Sequence, residues 1–117
     1  MARTDLTPYA LLSGKNAYPK QVLTQAAADI VNQNAIPHTG KEIILAKNSS
    51  GGALTVTITS IADSVQGRTG DITAASLAAS ELALFGPYPV DGWRQADNRL
   101  YLQASGVGIL FTVLRLP

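Results

Sequence analysis

Leu54, Val56 and Ile58 alternate with Thr55, Thr57 and Thr59, a strict period of two over six residues. That period predicts a strand with an aliphatic row against a core and a threonine row on its other face. Burial of the aliphatic row contributes roughly 5–9 kcal/mol before chain entropy is counted. Upstream, residues 41–47 form a short apolar run bounded by charges, and Asn48, Ser49, Ser50, Gly51 and Gly52 have turn chemistry. The spacing predicts a β-hairpin over residues 41–61.

Downstream, the punctuation is regular. Residues 62–71 read as a loop, with Asp63, Gly67, Gly70 and Asp71 as breakers. Residues 72–77 predict a weak strand, 78–81 a turn, and 82–85 a strand stopped by Gly86, Pro87, Tyr88 and Pro89. Residues 95–104 supply another strand after the Asp97-Asn98 turn, with Leu100 and Leu102 on one face and Tyr101 on the other. In the last strand Ile109, Phe111 and Val113 alternate with Leu110, Thr112 and Leu114, so both faces are largely apolar. Such a strand belongs in the middle of a sheet or at a subunit interface.

The first part of the chain is less regular. Residues 1–20 read as an N-terminal arm, and 21–117 as the folded domain. Val22, Leu23, Ala26, Ala27, Ile30 and Val31 recur at helical spacing, which predicts one short helix over 21–32, ended before Pro37. Taken together the pattern predicts an all-β fold, an antiparallel β-sandwich of six to seven strands with an N-terminal arm. The missing strand–helix rhythm argues against a parallel α/β sheet.

Composition narrows the chemistry. With 117 residues the chain is one domain able to bury its own core. It has no cysteine and one histidine, so thiolate sites are excluded and a histidine-based zinc site is disfavoured. Nine basic and eight acidic residues are spread without runs, which predicts neither a nucleic-acid stripe nor a membrane patch. The uncharged stretch 100–114 is too short and too broken for a spanning helix. Only 15% of residues are charged, below a typical quarter, so part of the apolar surface is expected to be covered by another protein.

The candidate motifs dissolve one by one. His38 reads as a solvated loop histidine, since no serine or carboxylate can be placed beside it. Ser13, Gly14 and Lys15 echo a phosphate loop, but Tyr9 stands where its first glycine belongs and Asn16 replaces its hydroxyl. Asp63, Asp91 and Asp97 are too scattered for a calcium loop. Asn48-Ser49-Ser50 and Arg68-Thr69-Gly70-Asp71 read as turns rather than as glycan or adhesion motifs. Trp93 and Tyr88 are a candidate stacking platform if exposed, or a cap on one end of the sandwich if turned inward. The reading is of a protein without catalytic residues, cofactor, metal or small-molecule substrate, and not an enzyme.

Three segments carry a resemblance: residues 1–8 (MARTDLTP), residues 40–51 (GKEIILAKNSSG) and residues 84–89 (LFGPYP). Together they resemble small virion proteins of tailed bacteriophages and prophages, the capsid decoration or auxiliary head proteins. The resemblance implies a sandwich or jelly roll on the outer capsid surface, made in the host bacterial cytoplasm and often trimeric. Such a protein binds the major capsid protein and cements neighbouring capsomers by passive binding. It also implies an extended run over residues 21–29, against the helical spacing, with Gln33 standing where a turn glycine is natural; the segment stays open between helix and strand, nearer to extended. Arg3, Leu6, Tyr9, Leu11 and Leu12 are then candidates for contact with the shell or a neighbour. Ile109, Leu110, Phe111 and Leu114 are candidates for packing between copies. Two alternatives stay open, a carbohydrate-binding module using Tyr88 and Trp93 and a neck or tail-completion protein of the same virion.

Overall fold

Asn48 is completely buried, and its side chain decides how the first two long strands are joined. Its Nδ2 donates to the carbonyls of Gly52 (2.7 Å) and Leu77 (3.0 Å), and its Oδ1 accepts from the N–H and hydroxyl of Ser50. The computed structural model, which describes residues 3–10 and 22–116, therefore corrects the hairpin. The strands exist at Glu42–Asn48 and Leu54–Thr59, but they do not pair with each other. The turn carries the chain from one sheet to the other, an arch. A period-two pattern could not tell the two apart, because in either case one row of each strand faces the core.

All described elements are strands: β1 (Thr4–Asp5), β2 (Tyr9–Ala10), β3 (Ala26–Ala27), β4 (Asn34–Pro37), β5 (Glu42–Asn48), β6 (Leu54–Thr59), β7 (Ile72–Leu77), β8 (Leu82–Phe85), β9 (Arg99–Ala104) and β10 (Ile109–Arg115). One sheet has the order β1-β4-β9-β6-β7; the other is β2-β10-β5-β8, with β3 also paired to β10. The all-β sandwich reading holds, with one correction to its ladders. Both sheets are mixed, because β1 joins β4 and β2 joins β10 in parallel. Among the described residues seven strands have four or more residues, and β10 lies inside its sheet as its two apolar faces required.

The core lies between the sheets. Ile36, Val56, Ile58, Leu77, Leu100 and Leu102 come from the first sheet; Ile44, Ala46, Ile109, Phe111 and Val113 come from the second. The threonines of β6 are half-buried on the opposite face, as the alternation dictates.

The arm is part of this sandwich. Leu6 packs in the core between β1 in one sheet and β2 in the other, so residues 3–10 cross and close one side. Arg3 donates to the carbonyls of Asn34 (3.1 Å) and Leu102 (3.2 Å), with its guanidinium 4.0 Å from the Tyr101 ring centre. Asp5 pairs with Arg99 at 3.2 Å.

No helix forms over residues 22–32. Asp29 accepts from the N–H groups of Val31 (3.1 Å) and Asn32 (3.0 Å) and from the Thr4 hydroxyl, which sets a turn in place of a helical one. The edge of β10 supplies backbone partners for Ala26 and Ala27. Gln33 then adopts φ +65°, the conformation a glycine would take freely. The stretch read as a helix terminator contains β4, where Asn34, Ala35 and Ile36 are all buried.

Candidate docking face

The outer faces of the two sheets differ in chemistry. On the first sheet, Thr55 sits opposite Ser76, Thr57 opposite Gln103 and Thr59 opposite Tyr101, with Arg99 alongside. That face is polar and can remain hydrated.

The second sheet presents an aliphatic outer face. Glu42, Ile44, Ala46 and Asn48 of β5 point inward, which sends Ile43, Leu45 and Lys47 outward. Cross-strand partners in an antiparallel ladder share a face. Leu45 therefore lies between Leu84 of β8 and Thr112 of β10, and Ile43 lies beside Leu114. Lys47 lies between Leu82 and Leu110, and it is the one charge in these rows. Leu82 and Leu84 are 57% and 60% exposed, while Ile43, Leu45, Leu110 and Leu114 are half-buried. An aliphatic field broken by a single ammonium is a surface suited to burial against another protein.

Leu110 and Leu114 lie on this outer face, whereas Ile109 and Phe111 are spent in the chain's own core. Leu6 is likewise buried, Arg3 is half-buried against Tyr101, and Tyr9 is half-buried with its hydroxyl accepting from Thr24 N–H at 3.0 Å. Leu11 and Leu12 lie outside the described residues. Ile43, Leu45, Leu82 and Leu84 were missed as contact candidates. The signal was present in residues 43–46, an apolar run on both faces like that of β10.

Tyr88 and Trp93 do not form a flat exposed platform. Their ring centres are 4.2 Å apart with planes tilted by 32°, so each ring covers a face of the other. Both are half-buried against the core. Burial pushes the Tyr88 hydroxyl up to about 12. Gly86, at φ +94°, allows this packing, because a Cβ there would stand 3.1 Å from the Glu42 carbonyl and 3.3 Å from the Tyr88 ring.

His38 is a correction: it is buried, not solvated. Its Nε2 lies 2.8 Å from the Tyr88 carbonyl, which requires a proton on Nε2, and its own carbonyl accepts from Arg94. Among the described residues its Nδ1 has no hydrogen-bond partner, so no described serine or carboxylate holds the ring. Arg94 and the Tyr88 carbonyl give His38 a structural task, holding the segment after β8 against the loop before β5.

Glu42 is the buried carboxylate. The Thr39 N–H and hydroxyl each donate to it at 2.8 Å and Arg115 Nε at 2.6 Å. Burial is the largest single influence and favours the neutral acid, but the donors of Thr39 and Arg115 together outweigh it and hold the group below the usual glutamate value. Asp71 is also held low, first by the Ser60 hydroxyl and then by the Ser60 N–H, and this fastens the loop over 62–71.

A cleft of about 270 Å³ lies between the arm and β10, lined by Asp5, Leu6, Tyr9 and Phe111 among others; Asp5 is the one carboxylate on its wall. Among the described residues no three His, Cys, Asp or Glu side chains converge as a metal site requires. No described helix is long and apolar enough to cross a membrane. Comparison of the chain with protein families, curated proteins and solved structures gave no match.

Proposed function

We propose that this chain is a structural, assembly-forming protein, and specifically a capsid decoration protein on the outer surface of a tailed-phage head. In this reading it binds the major capsid protein passively through the outer face of the β2-β10-β5-β8 sheet and cements neighbouring capsomers, with self-association as a homotrimer. The observation that carries the docking reading is the contrast between the two sheets. The same sandwich shows a threonine-rich face on one side and an aliphatic face centred on Leu45 on the other. The assignment to a phage head rests on the resemblance of residues 1–8, 40–51 and 84–89.

A decoration protein needs rigidity and a contact face with little charge, and many copies on one shell raise effective affinity beyond a single contact. The arm then contributes by shaping the sandwich, because Leu6 and Arg3 are used inside the chain. The test uses empty heads of the phage that encodes this chain, assembled without it, mixed with purified protein and sedimented. Wild type is expected in the pellet, and Leu45→Lys in the supernatant with its melting temperature little changed. Wild type left in the supernatant overturns the reading.

A further inference from the structure

The edges of the two sheets are managed unequally. On one side of the sandwich the arm covers both sheets through β1 and β2. On the other side the outermost strands are β7 and β8. Strand β7 is interrupted by a bulge opposite Val56–Ile58, with Ala74 at φ +50° and its N–H turned back to Thr57 Oγ1. A bulge of that kind spoils an edge as a template. Strand β8 has no bulge, no charge and no proline within it, and its ladder to β5 is regular.

The phase of that ladder fixes which groups of β8 are free. Asn48 N–H donates to the Glu81 carbonyl at 2.9 Å, in register with Lys47 opposite Leu82. In an antiparallel ladder the residues that exchange bonds alternate. The N–H and C=O groups of Ala83 and Phe85 thus point toward β5, and those of Leu82 and Leu84 point away from the sheet. All four outward groups lack a partner among the described residues.

We propose that β8 is a self-pairing edge, at which a second copy of this chain adds its own β8 antiparallel about a two-fold axis through Ala83. The register follows from two requirements. Partners across a two-fold must have residue numbers with a constant sum, and that sum must be even for side chains to stay on their own faces. With Ala83 opposite Ala83, Leu82 of each copy exchanges both backbone bonds with Leu84 of the other. All four outward groups are then satisfied, and the two leucine pairs stack on the outer face. The two neighbouring even registers each keep only one leucine pair: Leu84 opposite Leu84 puts Leu82 against Gly86, just before Pro87, and Leu82 opposite Leu82 puts Leu84 against Ser80. No charged residue lies in β8, so no like charges meet across the axis. A second copy is thus a complementary occupant in backbone, side chains and charge.

The seam joins the two outer aliphatic faces into one continuous surface. It is short, well under the roughly 1,600 Å² of a standard interface, so it is a contact of concentrated or assembled protein. Being two-fold, this seam is a contact separate from those that would build the proposed homotrimer; it does not depend on the capsid reading, and its test needs no heads.

Amide hydrogen exchange of wild type is compared at dilute and concentrated conditions. The amides of Leu82 and Leu84 are expected to slow by about tenfold on concentration while those of Ala83 and Phe85 do not change. In parallel, Ala83→Cys provides one thiol in a chain that has none. Directly opposite residues at a non-bonded antiparallel pair suit a disulfide. Mild oxidation is expected to give a covalent dimer from Ala83→Cys but not from Val107→Cys, whose position is exposed and off the seam. Concentration-independent exchange at Leu82 and Leu84, or equal dimer yield from both cysteine variants, overturns the proposal.

Discussion

Glu42 and Arg115 face each other across the β5–β10 ladder, with Arg115 Nε 2.6 Å from a carboxylate that is only 1% exposed. The pair ties the first long strand to the last, and the Thr39 donors complete the acceptor's coordination. Replacing Glu42 by Gln leaves the volume but removes the charge from a buried, fully hydrogen-bonded position. The expected cost is about 3 kcal/mol, or roughly 10 °C in melting temperature, read by thermal unfolding.

The same carboxylate sets an acid limit. Its folded value lies below the usual glutamate value, so its stabilising contribution is present above about pH 4.5 and disappears as the pH falls through the folded value. Asp29 and Asp71 are shifted in the same direction, the first chiefly by the Thr4 hydroxyl and the second by Ser60. Unfolding free energy measured against pH is expected to be flat near neutrality and to fall below about pH 4.5, less steeply in Glu42→Gln.

At the alkaline end Tyr88 has the opposite sign. Its raised value means that the stabilising contribution is complete below about pH 10 and is lost as the pH rises through about 12. Ultraviolet titration is expected to show at least one late-ionising tyrosine, with a simultaneous change in Trp93 fluorescence through the 4.2 Å ring contact.

Gln33 is held at φ +65° between the Asp29 turn and β4. Gln33→Gly is expected to stabilise by up to about 1 kcal/mol, since the strain relieved exceeds the extra freedom of the unfolded chain. Gln33→Val is expected to destabilise by at least as much, and denaturant titration of both variants checks the sign.

Leu6 inserts into the core from the arm. Leu6→Ala is expected to cost about 2 kcal/mol, which equilibrium unfolding will measure. A neutral result would mean the arm is a loose leader instead of a closing element.

Much of the architecture was legible because it is local. Val56 and Ile58 point inward and Thr57 outward as their alternation dictates, and the two apolar faces of β10 correctly placed it inside a sheet. What was hidden depends on partners distant in sequence. Nothing near Asn48 reveals that its amide will reach Leu77, and that contact makes an arch of a presumed hairpin. Nothing near His38 reveals that Tyr88 and Arg94 will bury it. Residues 22–31 carry a helical period, but the competing offer, the open edge of β10, lies some eighty residues away. On the docking face, Leu110 and Leu114 were visible as the second face of a two-sided strand. Leu82 and Leu84 were not, because a four-residue strand with two leucines reads equally well with either face inward.

In the proposed assembly the aliphatic outer face around Leu45 is covered by protein. Sedimentation of purified protein with heads lacking it tests this most directly. Wild type is expected to pellet with the heads and Leu45→Lys, equally well folded, to remain in solution; identical behaviour of the two proteins would rule this docking face out.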